Sequence, residues 1–152
     1  MGAEKIQARE ETLRRAFTGA SRVECGFVDL KAARLAYQRS GFPVTDELLE
    51  FLAAYGETTV FWPSYVTGDE SSLTISIDEV AQAYAPNVRS FEKRLGMSAL
   101  PLGVALSTEE MVLLAENGDI LLAGDAGVQR VAHGFEAAMR ALITGDWDMT
   151  FF

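Results

Sequence analysis

The sequence predicts an α+β fold: a single domain over residues 1–152, with a mostly antiparallel sheet and helices packed around it. Three observations carry that expectation. Helical patterns come first in the chain, and strand-like segments then cluster in pairs instead of alternating one by one with helices. Asn117-Gly118 joins two short apolar runs as a hairpin would, and tight hairpins join antiparallel neighbours. A length of 152 residues with 49% apolar composition is enough to bury one core of ordinary size.

Residues 3–17 are predicted helical, since Ile6, Leu13 and Phe17 recur at offsets of 7 and 4 among charged residues. This is the least apolar segment, so residues 1–22, helix and link, are expected to pack loosely. The link is Thr18-Gly19-Ala20-Ser21. Arg22–Val28 reads as a short extended piece. Asp29 then caps a second helix through Arg39, with Gly41 as its stop signal. The clearest helix is DELLEFLAAY, after Pro43 and the capping Thr45. Leu48, Leu49, Phe51, Leu52 and Tyr55 form its apolar face, Asp46 and Glu47 occupy the first turn where the helix dipole favours negative charge, and Gly56 ends it.

ETTVFWP, residues 57–63, is rich in β-branched and aromatic residues and reads as a strand ended by Pro63. The polar loop SYVTGDESS leads to LTISI, residues 73–77, where alternation puts Leu73, Ile75 and Ile77 on one face. Asp78 caps the next helical stretch, which Pro86 must kink or split. LPLGVAL, residues 100–106, is a short apolar strand. MVLLAE and DILLAG flank Asn117-Gly118, a dipeptide suited to the positive φ angles of a type I′ turn. Gly124-Asp-Ala-Gly127 makes a second turn. The last helix, GFEAAMRALIT, places Phe135, Met139, Leu142 and Ile143 at offsets of 4, 7 and 8 and stops at Gly145, before the aromatic tail DWDMTFF.

Composition narrows the function classes. No apolar run approaches the roughly 20 residues of a membrane span, and the acidic and basic N-terminus has no signal-peptide core. The single cysteine, Cys25, fits a reducing compartment, so the expected location is the cytoplasm. The net charge of −9 is unevenly spread: residues 1–40 hold eight Lys/Arg and five acids (+3), and residues 41–152 hold five and 17 (−12). So acidic a body repels a phosphate backbone and attracts a basic protein.

Catalytic and ligand-binding patterns are thin. His133 is the only histidine, and its neighbours VAHGF supply no partner for work with Cys25 or Ser107. One His and one Cys lack zinc-site spacing, and the paired acids lack the ligand spacing of a calcium loop. GDAG follows a strand but has neither the Lys of a P-loop nor GxGxxG spacing. The expectation is a binding module without catalytic residues, metal or cofactor.

The order of segments resembles the SUKH superfamily, and within it the third group of immunity proteins. The resemblance rests on Cys25-Gly26-Phe27, a helix ending in Tyr55-Gly56, the Pro101-Leu102-Gly103 strand, the strand pair around Asn117-Gly118-Asp119, and a last helix ending in Leu142-Ile143-Thr144-Gly145. It covers residues 23–145, and it departs at Val28-Asp29, where members more often carry Pro or Gly followed by Arg. It implies a cytoplasmic protein of a bacterial polymorphic toxin system that neutralises a cognate secreted toxin, of nuclease type, by binding it. The partner is then a protein with a basic surface, not a nucleic acid or a membrane. Partner contacts are expected where aromatics stand beside acids after the aromatic strand, at Trp62, Tyr65, Asp69 and Glu70. Two other readings are a structural or regulatory interaction module, and a small hydrolase using His133 with acids of the GDAG turn.

Overall fold

The computed structural model describes residues 2–64, 66–105 and 109–152. Seven strands form one fully antiparallel sheet in the order of the chain: β1 (Arg22–Cys25), β2 (Thr58–Pro63), β3 (Glu70–Ile75), β4 (Ala99–Ala105), β5 (Glu110–Ala115), β6 (Asp119–Gly124) and β7 (Gly127–His133). Six helices accompany them: α1 (Ala3–Ala16), α2 (Leu30–Arg39), α3 (Asp46–Tyr55), α4 (Ile77–Gln82), α5 (Ala85–Leu95) and α6 (Phe135–Thr144). The α+β, antiparallel expectation holds. β7 is not predicted from the sequence.

The helix starts follow local chemistry. The Asp29 carboxylate accepts from Ala32 N and the Thr45 hydroxyl from Leu48 N, each satisfying an otherwise orphaned backbone donor. Ile77 is not the last residue of a strand, as its alternation implies. Ser76 caps α4 through a bond from Asp78 N, so Ile77 opens the helix and Asp78 lies in its first turn. Pro86 splits the predicted helix into α4 and α5 and sits at the start of α5, where its missing N–H costs nothing.

The hairpin between β5 and β6 also differs in detail. Gly118 has φ of 91° and donates to Ala115 O at 2.9 Å, while Asn117 keeps a negative φ. One left-handed residue after a tight turn is the three-residue loop with a glycine bulge, not type I′.

Most of the core lies on one face of the sheet. There Leu13 and Phe17 of α1, Tyr37, Leu48 and Leu52, and the inner face of α6 pack on Val60, Leu73, Ile75, Val112, Ile120 and Leu122. The other face is covered only over β4–β7, where Phe91 and Leu95 of α5 close on Leu113, Leu121 and Val128. This explains the two kinds of strand pattern. β5 and β6 are apolar on both faces and read as continuous runs, whereas β2 and β3 alternate because one face carries Thr59 and Thr74.

Bulges and a glycine fix the middle of the sheet. Leu102 is an extra residue between Pro101↔Leu113 and Gly103↔Val112; beside it Pro101 O accepts from the Tyr37 hydroxyl, and Leu102 O accepts from Ser76 N, extending the β3–β4 pairing. At Gly103 a Cβ would stand 1.7 Å from Thr74 O, so only glycine lets β3 and β4 approach. On α1, the Arg9 guanidinium clasps the end of α3, donating to Gly56 O at 2.7 Å and Ala54 O at 3.0 Å. Beyond α6, the chain returns along the edge strand β7: Phe151 bridges Gln129, and Phe152 N donates to Val128 O at 2.8 Å.

Candidate partner-binding site

The register gives the sheet two ends, and each end holds a groove. At one end, where Ala99 pairs with Ala115 and Asp119 with His133, the first groove encloses about 800 Å³. Its wall from α3 brings Glu47 and Glu50, α5 brings Glu92, and the β5–β6 turn brings Glu116. These positions are far apart in the sequence; only the meander and the placement of α3 bring them together. None of its lining residues is Lys or Arg.

The same groove is lined by an aromatic cluster. Tyr55 and Phe135 have ring centroids 4.7 Å apart, and Phe51 meets Phe135 edge-on at 5.3 Å. Phe135 is buried, whereas Phe51 and Tyr55 remain partly accessible. Burial, followed by the nearby Glu136 carboxylate, raises the Tyr55 phenol above its ordinary pKa and keeps it neutral. Two of the carboxylates are pinned to the backbone: Glu92 accepts from Ala99 N at 2.9 Å and Glu116 from Ser98 N at 3.2 Å. Among the described residues no cation pairs with Glu47, Glu50, Glu92 or Glu116.

The second groove, about 580 Å³, opens at the other end of the sheet, where Pro63 pairs with Glu70 and Ala105 with Glu110. Here the structure places three of the four sequence-predicted contact residues. Asp69 and Glu70 are exposed on the rim. Trp62 is only 6% exposed and belongs to the main core, reaching the groove from beneath instead of projecting from the surface. Tyr65 lies outside the described residues. Across the groove stands Trp147, whose indole nitrogen is buried without a hydrogen-bond partner. Glu70 is answered by Arg22 at 3.4 Å, and the Arg22 guanidinium lies 3.8 Å over the Phe61 ring. The local aromatic–acid pattern in the sequence falls at this groove, whereas the first groove's sequence trace is the acidic excess after residue 40.

The residues weighed for catalysis fall apart in space. His133 Nδ1 stands 3.1 Å from Asp119 Oδ1, while the same carboxylate takes Arg130 Nε at 2.9 Å on its other oxygen. The GDAG turn is at the opposite end of the β6–β7 hairpin, so Asp125 does not serve His133. Cys25 is on the other edge strand, its thiol 3.7 Å from the Thr58 hydroxyl and its pKa raised by burial. Ser107 lies outside the described residues. Among the described residues no group of three or more His, Cys, Asp or Glu stands ready for a metal, and no helix is long and apolar enough to cross a membrane.

The sequential antiparallel sheet thus carries a carboxylate-bearing groove at each end of its strands. The family follows from comparison. A family model described as SUKH-3 immunity protein matches residues 26–145, and the chain belongs to that family. Membership carries a toxin-neutralising immunity function. No curated protein and no solved structure matches the chain.

Proposed function

We propose that this chain acts in the cytoplasm as a non-catalytic, stoichiometric binder of a secreted nuclease-type toxin, covering the basic surface with which that toxin holds its nucleic acid. One observation carries the reading. Among the described residues the two grooves together present seven carboxylates, four in the first and three in the second, and neither is lined by a Lys or Arg. A nuclease must neutralise phosphates with Lys and Arg, so the face it offers nucleic acid is complementary to these grooves. The −12 carried by residues 41–152 adds a long-range pull that speeds encounter. Asp69 and Glu70, over Trp62, belong to this reading as outer contacts.

The test is co-expression with the toxin domain encoded beside this chain. Cells survive, the purified pair elutes as a complex, and nucleic-acid cleavage stops at a one-to-one ratio. Association slows steeply with added salt, as screening requires. Survival without a complex, or a complex that leaves cleavage intact, removes the proposal.

A further inference from the structure

We infer that the first groove, not the second, is the docking surface, and that it receives an arginine-bearing segment of the toxin. The inference rests on the toxin-binding reading and adds to it a place and a side chain. Charge is the first argument. All four carboxylates of the first groove, Glu47, Glu50, Glu92 and Glu116, lack an ion pair among the described residues, whereas in the second groove Glu70 pairs with Arg22 at 3.4 Å and only Asp69 and Glu110 are left without one. An incoming cation therefore meets more uncompensated negative charge in the first groove.

The floor supplies the second argument. Phe51 and Tyr55 are partly accessible and are held by their contacts with the buried Phe135. Partly accessible rings and carboxylates lining one groove match a guanidinium, which stacks on aromatics and also offers paired N–H donors to a carboxylate. A lysine ammonium, compact and more strongly hydrated, uses the carboxylates but gains less from the rings. Rigidity is the third. The walls are α3, α5, the start of β4, the β5–β6 turn and the start of α6, and Glu92 and Glu116 are pinned to the backbone before any partner arrives. A carboxylate already held in place loses less freedom on binding. In the second groove the rim residue Asp69 is on a loop and the aromatic Trp62 is inside the core. The first groove, about 800 Å³, has room for several side chains, so the occupant is a segment of chain and not one residue.

The experiment uses the whole chain and two probes. The first is a blocked hexa-arginine peptide, followed through amide shifts of the isotope-labelled protein. Shifts at Glu50, Ala54, Tyr55 and Glu116 that saturate together support the groove. They vanish in Glu47→Lys/Glu50→Lys and persist in Glu11→Lys/Asp125→Lys, an equal charge change at exposed positions outside both grooves. Shifts spread over acids of both ends, or unaltered by the groove variant, overturn the assignment. Hexa-lysine binding as tightly as hexa-arginine overturns the role given to the rings.

The second probe is the toxin domain encoded beside this chain. The groove variant is expected to weaken the complex by about 100-fold or more, since like charges then face each other. The control variant stays within about threefold of the unaltered chain, the change that screened, distant charges allow. Undiminished binding by the groove variant sinks the groove assignment and leaves the immunity reading standing. If the unaltered chain itself neither binds nor protects, the immunity reading falls and the peptide result alone decides the groove. Thermal melts establish that the variants are folded, and Glu50→Gln, a milder change, must weaken the complex in the same direction.

Discussion

The groove at the Ala99–Ala115 end of the sheet and the groove at the Ala105–Glu110 end are both acidic, yet they are assembled by different means. In the first, the carboxylates come from α3, α5 and a hairpin turn, over rings that pack on Phe135. In the second, they come from a loop, the ends of β3 and β5, and a neighbouring Arg22 that pairs with Glu70. A negative surface is cheap to produce, because exposed acids need only water. A negative surface with no cation, pinned carboxylates and an apolar floor requires elements distant in sequence to converge, and the structure does that only once among the described residues.

This contrast can be broken from the floor upward. Phe135 contacts Phe17, Phe51 and Tyr55 and is 3% exposed, so Phe135→Ala should destabilise the protein by about 3–5 kcal/mol in a denaturant titration. A loss below about 1 kcal/mol would mean that the rings under the first groove are not a packed platform. Next in size is Arg22→Ala, expected to cost about 1 kcal/mol by removing an exposed cation–π contact and two weak ion pairs. The same change should strengthen hexa-arginine shifts at Asp69 and Glu70. If it does not, the pairing with Arg22 is not what separates the two grooves.

Trp147→Phe is a subtler probe of the second groove. The ring shrinks, but an indole N–H that is buried without a partner disappears, so the two terms nearly cancel and stability should move by no more than about 0.5 kcal/mol. A large loss would reveal a bond to that N–H.

The smallest effect concerns pH. Asp148, at the same end, has its pKa lowered by bonds from the Thr150 hydroxyl and backbone N–H. A depressed carboxylate stabilises above its unfolded pKa and loses that contribution as pH falls through the folded value. Amide shifts of Thr150 followed through an acid titration should therefore change only below the ordinary Asp range.

Where the sequence was informative, the cause was local. Asp29 and Thr45 cap helices through bonds that close within three residues, so the residue type and its place before an apolar pattern were sufficient. Asn117-Gly118 marked the hairpin, but its type depends on the φ of Asn117, which the dipeptide does not determine. The strand β7 escaped because Val131 is an extra residue between Ile120↔Ala132 and Leu121↔Arg130, and one extra residue shifts every later side chain to the other face. Ser76 and Asp78 both have cap chemistry; Ser76 caps, and its N–H donates to Leu102 O, 26 positions away on β4, where β3 gives way to α4. The first groove had no local signature at all. Glu47 reads as a first-turn acid and is one, whereas Glu116 reads as the last residue of a strand and instead opens the β5–β6 turn.

Because each strand lies beside its neighbours in chain order, the sheet is bonded like a ladder read from one side to the other. β1 has four paired residues, all with β2, and can fray without disturbing a rung further in. Amide exchange should therefore be fastest at the β1 margin and slowest in β5 and β6, whose two faces are both packed. The β5 wall of the first groove would then stay assembled while the β1 margin opens and closes.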